Sequence, residues 1–356
     1  MSEASRTQTR VRDETKLASR KPAIRRGLDS VTLEDVARLA DVSTITVSRA
    51  LNHPDKVAKS TLQRVTKAIE QTGYVPNMLA GGLASRRSRL IAALVPAMTN
   101  TVYAETIHYF SEALKSAGYQ VMLGECGYTE ESEHEIVSTV LSRRPDGILL
   151  TGVKHTLECR RQIMAAHIPV VETWDLTTTP LDVAVGFSHE RLGESVADYI
   201  ASKGYTKVAS LCADDRRALL RETTMRAQLQ RHGITDVTST IVPAPTDMRR
   251  GRDGMSNLLQ RGFDRGLVVC SSDTLAHGAM IECQARAIAI PERVAIFGFG
   301  DQSFAPDTFP ALSTVRIDRP VMGRLAAQAL LKRIDGEVLD DPIIDLGFEI
   351  IERGTS

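Results

Sequence analysis

The chain has few of the features from which disulfides, metal sites and nucleotide-dependent enzymes are built. Its five cysteines are odd in number and form no CxxC pair, and its eight histidines show no HExxH spacing. We therefore expect buried thiols, with neither a disulfide nor a metal site. GFG at residues 298–300 is too short for a dinucleotide fingerprint, and no GxSxG motif is present, so we expect no cofactor and no enzyme.

Long apolar runs are also missing. No stretch is long enough to span a membrane, and residues 1–30 lack the apolar segment of a signal peptide. The sequence therefore favours a cytoplasmic protein.

Charge is balanced overall but unevenly placed. Lys and Arg total 44, as do Asp and Glu. Residues 1–89 contain 17 basic against 9 acidic side chains, a net charge of +8, which leaves −8 on residues 90–356. A basic end on an acidic body steers that end toward a polyanion. Residues 1–30 are basic with few apolar side chains, and we predict a disordered tail there.

Two short helices joined by a tight turn are predicted in TLEDVARLADVSTITVSRALN, residues 32–52. Thr32 is suited to cap the first helix, with a carboxylate three residues later at Asp35. Ser43 is suited to cap the second, and Val47 should face the core. A third helix is predicted over residues 59–72.

The second helix should expose hydroxyls, one arginine and one amide, together with one aliphatic side chain. In a DNA major groove such groups meet phosphates and base edges. An ordinary helical hairpin is the alternative, but the caps, the small turn and the side chains together favour DNA binding. The outward residues are Thr44, Ile45, Ser48, Arg49 and Asn52.

Residues 31–76 resemble the helix-turn-helix headpiece of the LacI/GalR family of bacterial transcription regulators. The motifs VSTITVSRALN and GYVPN carry this resemblance. It implies that Thr44, Ile45 and Arg49 face base edges. It also implies phosphate contacts, which set register rather than sequence preference, from Thr32, Ser43, Thr46, Ser48, Asn52 and Asn77.

Residues 77–89 link this headpiece to the body. The resemblance implies a hinge helix that forms on DNA and inserts Leu83 into the minor groove, where an apolar wedge kinks the duplex. Gly81 and Gly82 would make such a helix unstable in isolation. A plain flexible linker is the alternative.

Residues 90–356 alternate strand and helix, which predicts an α/β body of two doubly wound subdomains separated by a cleft. Strands are predicted at residues 90–96, 119–125, 147–152, 168–173, 183–187, 207–212, 267–271 and 294–299, and helices at about residues 103–117, 132–142 and 190–203.

Ligands of such folds bind beyond the carboxyl ends of strands, where this chain has polar groups and its one tryptophan. That combination suits a sugar-like ligand. SSDTLAHGAM, FGFGD and PALSTVRID resemble the LacI-family regulatory domain, which shares its fold with periplasmic sugar-binding proteins. The resemblance places the effector at Asn100, Tyr103, Thr151, Trp174, Arg221, Met248, Ser272 and Asp301.

Two departures from the family pattern favour an acidic ligand over a neutral sugar. Gly300 stands where the family often has an acidic residue, and Ser272 stands where asparagine is common. Arg221 can hold a carboxylate through two hydrogen bonds. VETWDL, LDVAVGF, GFGD and AGGLAS resemble the gluconate-responsive branch of the family, which implies gluconate or a related sugar acid as effector.

The sequence thus predicts a homodimeric repressor of sugar-acid catabolic genes that leaves a palindromic operator when effector fills the cleft. A periplasmic binding protein would share the body, but residues 32–52 argue against it. The other alternative is a LacI-family regulator with a phosphosugar, neutral sugar or purine effector. Such a regulator could also activate transcription rather than repress it.

Overall fold

The computed structural model describes residues 31–75 and 87–356. The chain divides into two compact units, with the boundary between residues 85 and 86. The predicted tail over residues 1–30 lies outside the described residues, as do Asn77 and Leu83.

The first unit is a three-helix headpiece. Its helices are α1 (Leu33–Ala40), α2 (Thr44–Asn52) and α3 (Lys59–Thr72). All three predicted helices are present, and α3 ends at Gly73, whose φ of 66° is accessible to glycine without strain. A small core holds them together, formed by Val36, Ala37, Ala40, Val47, Ala50, Val65 and Ala68.

The second unit contains all the described strands and the remaining helices. The helices are α4 (Thr101–Ser116), α5 (Glu130–Leu141), α6 (Leu157–Ala166), α7 (His189–Ser202), α8 (Arg216–Arg231), α9 (Met248–Gln260), α10 (Asp273–Ala285) and α11 (Arg319–Ile334). The strands are β1 (Leu90–Val95), β2 (Gln120–Glu125), β3 (Gly147–Thr151), β4 (Val170–Thr173), β5 (Val183–Gly186), β6 (Lys207–Asp214), β7 (Asp236–Pro243), β8 (Gly266–Cys270), β9 (Val294–Phe297), β10 (Thr314–Arg316), β11 (Ile343–Asp345) and β12 (Glu349–Ile351).

Two parallel sheets form the cores of two subdomains, as the strand-helix alternation predicts. The first subdomain has six strands in the order β11-β5-β4-β3-β1-β2, and the second has four in the order β7-β6-β8-β9. Strands β10 and β12 form a short antiparallel pair. Because β11 returns to the first sheet after β9 and β10, the chain passes between the subdomains more than once.

Most of the predicted strands are largely buried, although the edge strand β2 is not. Strands β3, β4, β5 and β9 are almost completely buried, and such strands are near-continuous apolar runs in sequence. Strand β7 was not predicted because its sequence, DVTSTIVP, begins with mostly polar residues and contains no long apolar run. Strands β10, β11 and β12 have three residues each, too few to show a period.

A close backbone approach positions the segment that follows β4. A Cβ at Gly186 would lie 2.2 Å from the carbonyl oxygen of Asp175, so glycine is required where this segment packs against the end of β5. Trp174 has a left-handed φ of 67°, which turns the chain sharply between β4 and Asp175. The single tryptophan is thereby fixed at the carboxyl end of the first sheet.

None of the helices within residues 31–75 and 87–356 is long and apolar enough to cross a membrane.

Candidate DNA-binding helix and effector cleft

The first headpiece helix begins with reciprocal hydrogen bonds between Thr32 and Asp35. The Thr32 amide donates to Oδ2 of Asp35 (3.0 Å), and the Asp35 amide donates to Oγ1 of Thr32 (3.3 Å). Hydrogen bonds from the Thr32 amide and hydroxyl hold the pKa of Asp35 below its usual range. This capping box fixes the start of α1, as the sequence predicts.

Helix α2 has a mostly polar exposed face, and its opposite face packs into the headpiece core. The Thr46 amide donates to Oγ of the N-cap Ser43 (3.2 Å), while Val47 is fully buried. Ile45 is 68% exposed, and Arg49, one turn later, is exposed as well. Among the described residues none forms an ion pair with Arg49, so its guanidinium is available to a nucleic acid.

A cleft between the two subdomains has an empty volume of about 560 Å³. Its walls come from the segments that follow β1, β2, β4, β5, β6, β7, β8 and β9, the edge at which parallel sheets bind ligands. Five predicted effector residues line it: Asn100, Tyr103, Trp174, Arg221 and Ser272.

The other three predicted effector residues lie elsewhere. Thr151 lines a neighbouring cavity together with Lys154. Met248 is the first residue of α9, where it is 48% exposed and does not line the cleft. The carboxylate of Asp301 accepts from Nε of Arg316 (2.6 Å) and from Nη2 of Arg353 (2.7 Å). Both of its oxygens are thus occupied by arginines outside the cleft.

Arg221 is a cation with neutral partners. Its Nη1 donates to Nδ1 of His189 (3.1 Å), and its Nη2 donates to the carbonyl oxygen of Ser271 (3.2 Å). Its guanidinium carbon lies 3.9 Å from the ring centroid of Phe299. No carboxylate of the described residues forms an ion pair with it. Burial disfavours the charged form and lowers the pKa of Arg221.

His189 orients this arginine through a fixed tautomer. Its Nε2 lies 2.9 Å from the carbonyl oxygen of Trp174. Because a carbonyl only accepts, Nε2 carries the proton and Nδ1 is left as the acceptor for Arg221. Burial, reinforced by the charge of Arg221, holds the pKa of His189 well below its usual range. The imidazole is therefore neutral and joins Arg221 to the Trp174 segment.

Two further arginines connect the subdomains across the cleft. Nη2 of Arg217 donates to the Tyr103 hydroxyl (2.8 Å), and Nη2 of Arg216 donates to Oδ2 of Asp175 (2.6 Å). Burial raises the pKa of Tyr103 to about 12, so its hydroxyl stays neutral. Arg216 is thus paired with a carboxylate, whereas Arg217 meets a neutral phenol.

Gln302 bridges the subdomains at another point. The Thr101 hydroxyl of the first subdomain donates to its Oε1 (3.1 Å), and its Nε2 donates to Oγ1 of Thr274 in the second (3.3 Å). The backbone amide of Gln302 donates to the buried carboxylate of Asp273 (2.6 Å). Gln302 therefore occupies the place in the cleft wall that the sequence assigns to its neighbour Asp301.

Sequence reasoning missed seven of the charged, polar and aromatic residues that line the cleft, although all but one of these seven follow a strand by only a few positions. The exception is Gln302, five residues after β9. Applying the strand-end criterion to every strand would have found most of them. Those residues are Tyr128, His189, Asp215, Arg217, Thr246, Phe299 and Gln302.

Comparison with known proteins decides the family. Residues 32–77 match the family of bacterial regulatory proteins of lacI type, and residues 197–356 match a periplasmic binding protein-like domain. The HTH-type transcriptional regulator GntR of Pseudomonas aeruginosa is 37% identical over 90% of this chain and 94% of its own length. The chain belongs to the LacI family. It is a DNA-binding transcriptional regulator.

Other LacI-family members are similar to this chain in sequence and in structure. GntR of Escherichia coli K12 is 32% identical over 91% of this chain and 98% of its own. A crystal structure of a LacI-family regulator from Silicibacter pomeroyi superimposes with a TM-score of 0.86 at 31% identity, covering 91% of this chain and 99% of that one. The predicted family and fold are confirmed. Members of this family bind operator DNA and small-molecule effectors, and they act as dimers.

The neutral His189 predicts a specific loss of stability in acid. In the unfolded chain a histidine takes up a proton below about pH 6.5, but the folded protein excludes that proton, so stability falls as pH decreases. We expect the Tm of the wild type to drop more between about pH 7.5 and about pH 5.5 than that of His189→Gln. Differential scanning calorimetry measures this, and equal drops would contradict a neutral His189.

Proposed function

We propose that this LacI-family regulator is a cytoplasmic repressor of sugar-acid catabolic genes, with gluconate or a related sugar acid as its effector. The observation that carries the proposal is that Arg221 lies buried in the cleft with neutral hydrogen-bond partners and forms no ion pair with a carboxylate of the described residues. The similarity to two regulators named GntR supports the same class of genes.

The charges of the cleft favour an acid over a neutral sugar. Two arginines, Arg217 and Arg221, line the cleft together with one carboxylate, that of Asp215. Asp215 already accepts the Ala218 amide (3.0 Å) as N-cap of α8. Removing a guanidinium from water without a counter-ion is unfavourable, and a ligand carboxylate would supply that counter-ion. Arg221 also keeps N–H groups beyond the two that its neutral partners use.

Neutral polar groups around the arginines suit the hydroxyls of a polyol chain. Asn100, Thr246, Ser272 and Gln302 all line the cleft, and Trp174 and Phe299 supply apolar surface for C–H groups. We place the acid group of the effector at Arg221 and its hydroxyls toward Asn100 and Ser272.

The headpiece reads DNA through the exposed face of α2 in this proposal. Ile45 and Arg49, together with Thr44, contact base edges in the major groove. The capping residues Thr32 and Ser43 hold phosphates, with Thr46, Ser48 and Asn52 beside them. Asn77 and Leu83 keep their predicted roles at the linker.

The switch follows from contacts that depend on how the subdomains are arranged. Arg217 with Tyr103, Arg216 with Asp175, and Gln302 with Thr101 all join one subdomain to the other. A sugar acid that touches both walls adds to these contacts and stabilises the closed arrangement over the open one. In a dimer this shift separates the two headpieces and releases a palindromic operator.

Replacing the cleft arginine tests the acid proposal. Arg221→Met keeps most of the aliphatic length but removes the charge-assisted hydrogen bonds, so we expect gluconate affinity to fall about 10–100-fold. Isothermal titration calorimetry with gluconate, glucose and ribose measures this. Arg231→Met is the control, because Arg231 lies at the end of the same helix with its side chain 70% exposed. Wild-type binding of the neutral sugars alone would contradict the proposal.

Replacing the recognition arginine tests the DNA side independently. Arg49→Ala should lower discrimination between operator and base-substituted operator by about 1–3 kcal/mol, with effector affinity unchanged. Fluorescence anisotropy at fixed salt measures both DNA affinities. Lys67→Ala, which removes an exposed cation of α3, is the control for a general charge effect. Unchanged discrimination in Arg49→Ala would show that α2 does not read bases there.

A further inference from the structure

A buried cluster of donor groups lies inside the first subdomain, apart from the charged wall of the cleft. Nδ1 of His155 is 2.7 Å from Oε2 of Glu133, and its Nε2 is 3.0 Å from Oε1 of Glu172. Glu133 is on α5, His155 precedes α6, and Glu172 is on β4. The His155 and Glu172 side chains are 0% exposed, and that of Glu133 is 7% exposed.

Cys159, which lies in the first turn of α6 four residues after His155, completes the cluster. It is 0% exposed, and no group of the described residues donates a hydrogen bond to its Sγ. A carboxylate oxygen of Glu133, a ring nitrogen of His155 and Sγ of Cys159 lie within 4.8 Å of one another. Three different ligand types from two helices and a loop thus converge on one point.

We propose that Glu133, His155 and Cys159 bind a divalent transition metal of the Zn²⁺ class. Thiolate, imidazole and carboxylate are the ligands that Zn²⁺ takes in proteins. Tetrahedral bonds of about 2.0–2.3 Å place ligand atoms roughly 3.3–3.7 Å apart. Metal binding therefore requires the 2.7 Å contact between Nδ1 of His155 and Oε2 of Glu133 to open, while the longer separations, at most 4.8 Å, shorten through side-chain rotation. Neither the sequence motifs nor the family matches assign this site.

Glu172 contacts the ring nitrogen of His155 that would not bind the metal. With Nδ1 of His155 turned toward Glu133 and the metal, Nε2–H donates to Oε1 of Glu172, the arrangement that orients most metal-bound histidines. The second oxygen of Glu172 accepts the Leu181 amide (2.6 Å). This carboxylate is therefore fixed in place and does not need to move when a metal binds.

A neighbouring cavity supplies an entry path and a connection to the effector cleft. The cavity is about 590 Å³ and is lined by Glu133 together with Thr151 and Lys154. Tyr128 and Arg217 line both this cavity and the cleft. Metal binding at the cluster does not depend on the identity of the effector.

Cobalt is the probe because a thiolate–Co²⁺ bond absorbs in the near ultraviolet, whereas surface His and carboxylate sites give no such band. We expect the full-length untagged protein, stripped with EDTA, to develop this band at one Co²⁺ per chain and to lose it when Zn²⁺ is added. Cys159→Ser should abolish the band, and Cys283→Ser, which removes a buried thiol of α10, should retain it. Absence of the band in the wild type overturns the proposal.

Two conservative variants separate a metal site from a purely structural ion cluster. Glu133→Gln removes a charged ligand and should abolish stoichiometric Zn²⁺ binding, while Glu172→Gln should weaken it about 10–100-fold. Zn²⁺ should also raise the Tm of the wild type and of Cys283→Ser but not that of Glu133→Gln. Equal Zn²⁺ affinity in all of these proteins would show that the metal binds elsewhere and would overturn the proposal.

Discussion

The candidate effector cleft is organised around one buried arginine that has no ion-pair partner among the described residues. Arg221 is held by a neutral imidazole, a backbone carbonyl and an aromatic face, so the protein orients its guanidinium without neutralising it. The hydrogen bond from His189 to the Trp174 carbonyl fixes the tautomer that makes this possible, and Gly186 lets the Trp174 segment pack closely enough to supply that carbonyl. An anion entering the cleft therefore meets a cation that is already oriented.

A few polar contacts around the cleft join the two subdomains, and we propose that they couple ligand binding to DNA binding. Arginine, carboxylate, phenol and amide groups join the two subdomains, so their relative position is set by a few polar contacts and can shift when a ligand adds more. The headpiece is a separate compact unit with a small core. A regulator of this construction reads DNA with one unit and responds to a metabolite with the other.

Sequence patterns predicted the fold well where burial of one face or of a whole strand sets the spacing of apolar side chains. The three headpiece helices and the eight predicted strands are present, because capping residues and continuous apolar runs mark them directly. Which side chains contact one another was harder to predict from the sequence. Asp301 and Gln302 are neighbours in sequence, but Arg316 and Arg353 occupy the first while the second lines the cleft. Nor does spacing along the chain reveal that Glu133 and Glu172 contact one histidine.

The most direct test of the account is binding of the full-length protein to promoter fragments of gluconate-catabolism genes at fixed salt, with and without gluconate. We expect specific binding that gluconate weakens, since the ligand stabilises the arrangement of the subdomains that releases the operator. Specific binding that gluconate leaves unchanged would contradict the sugar-acid effector while leaving the DNA-binding regulator intact.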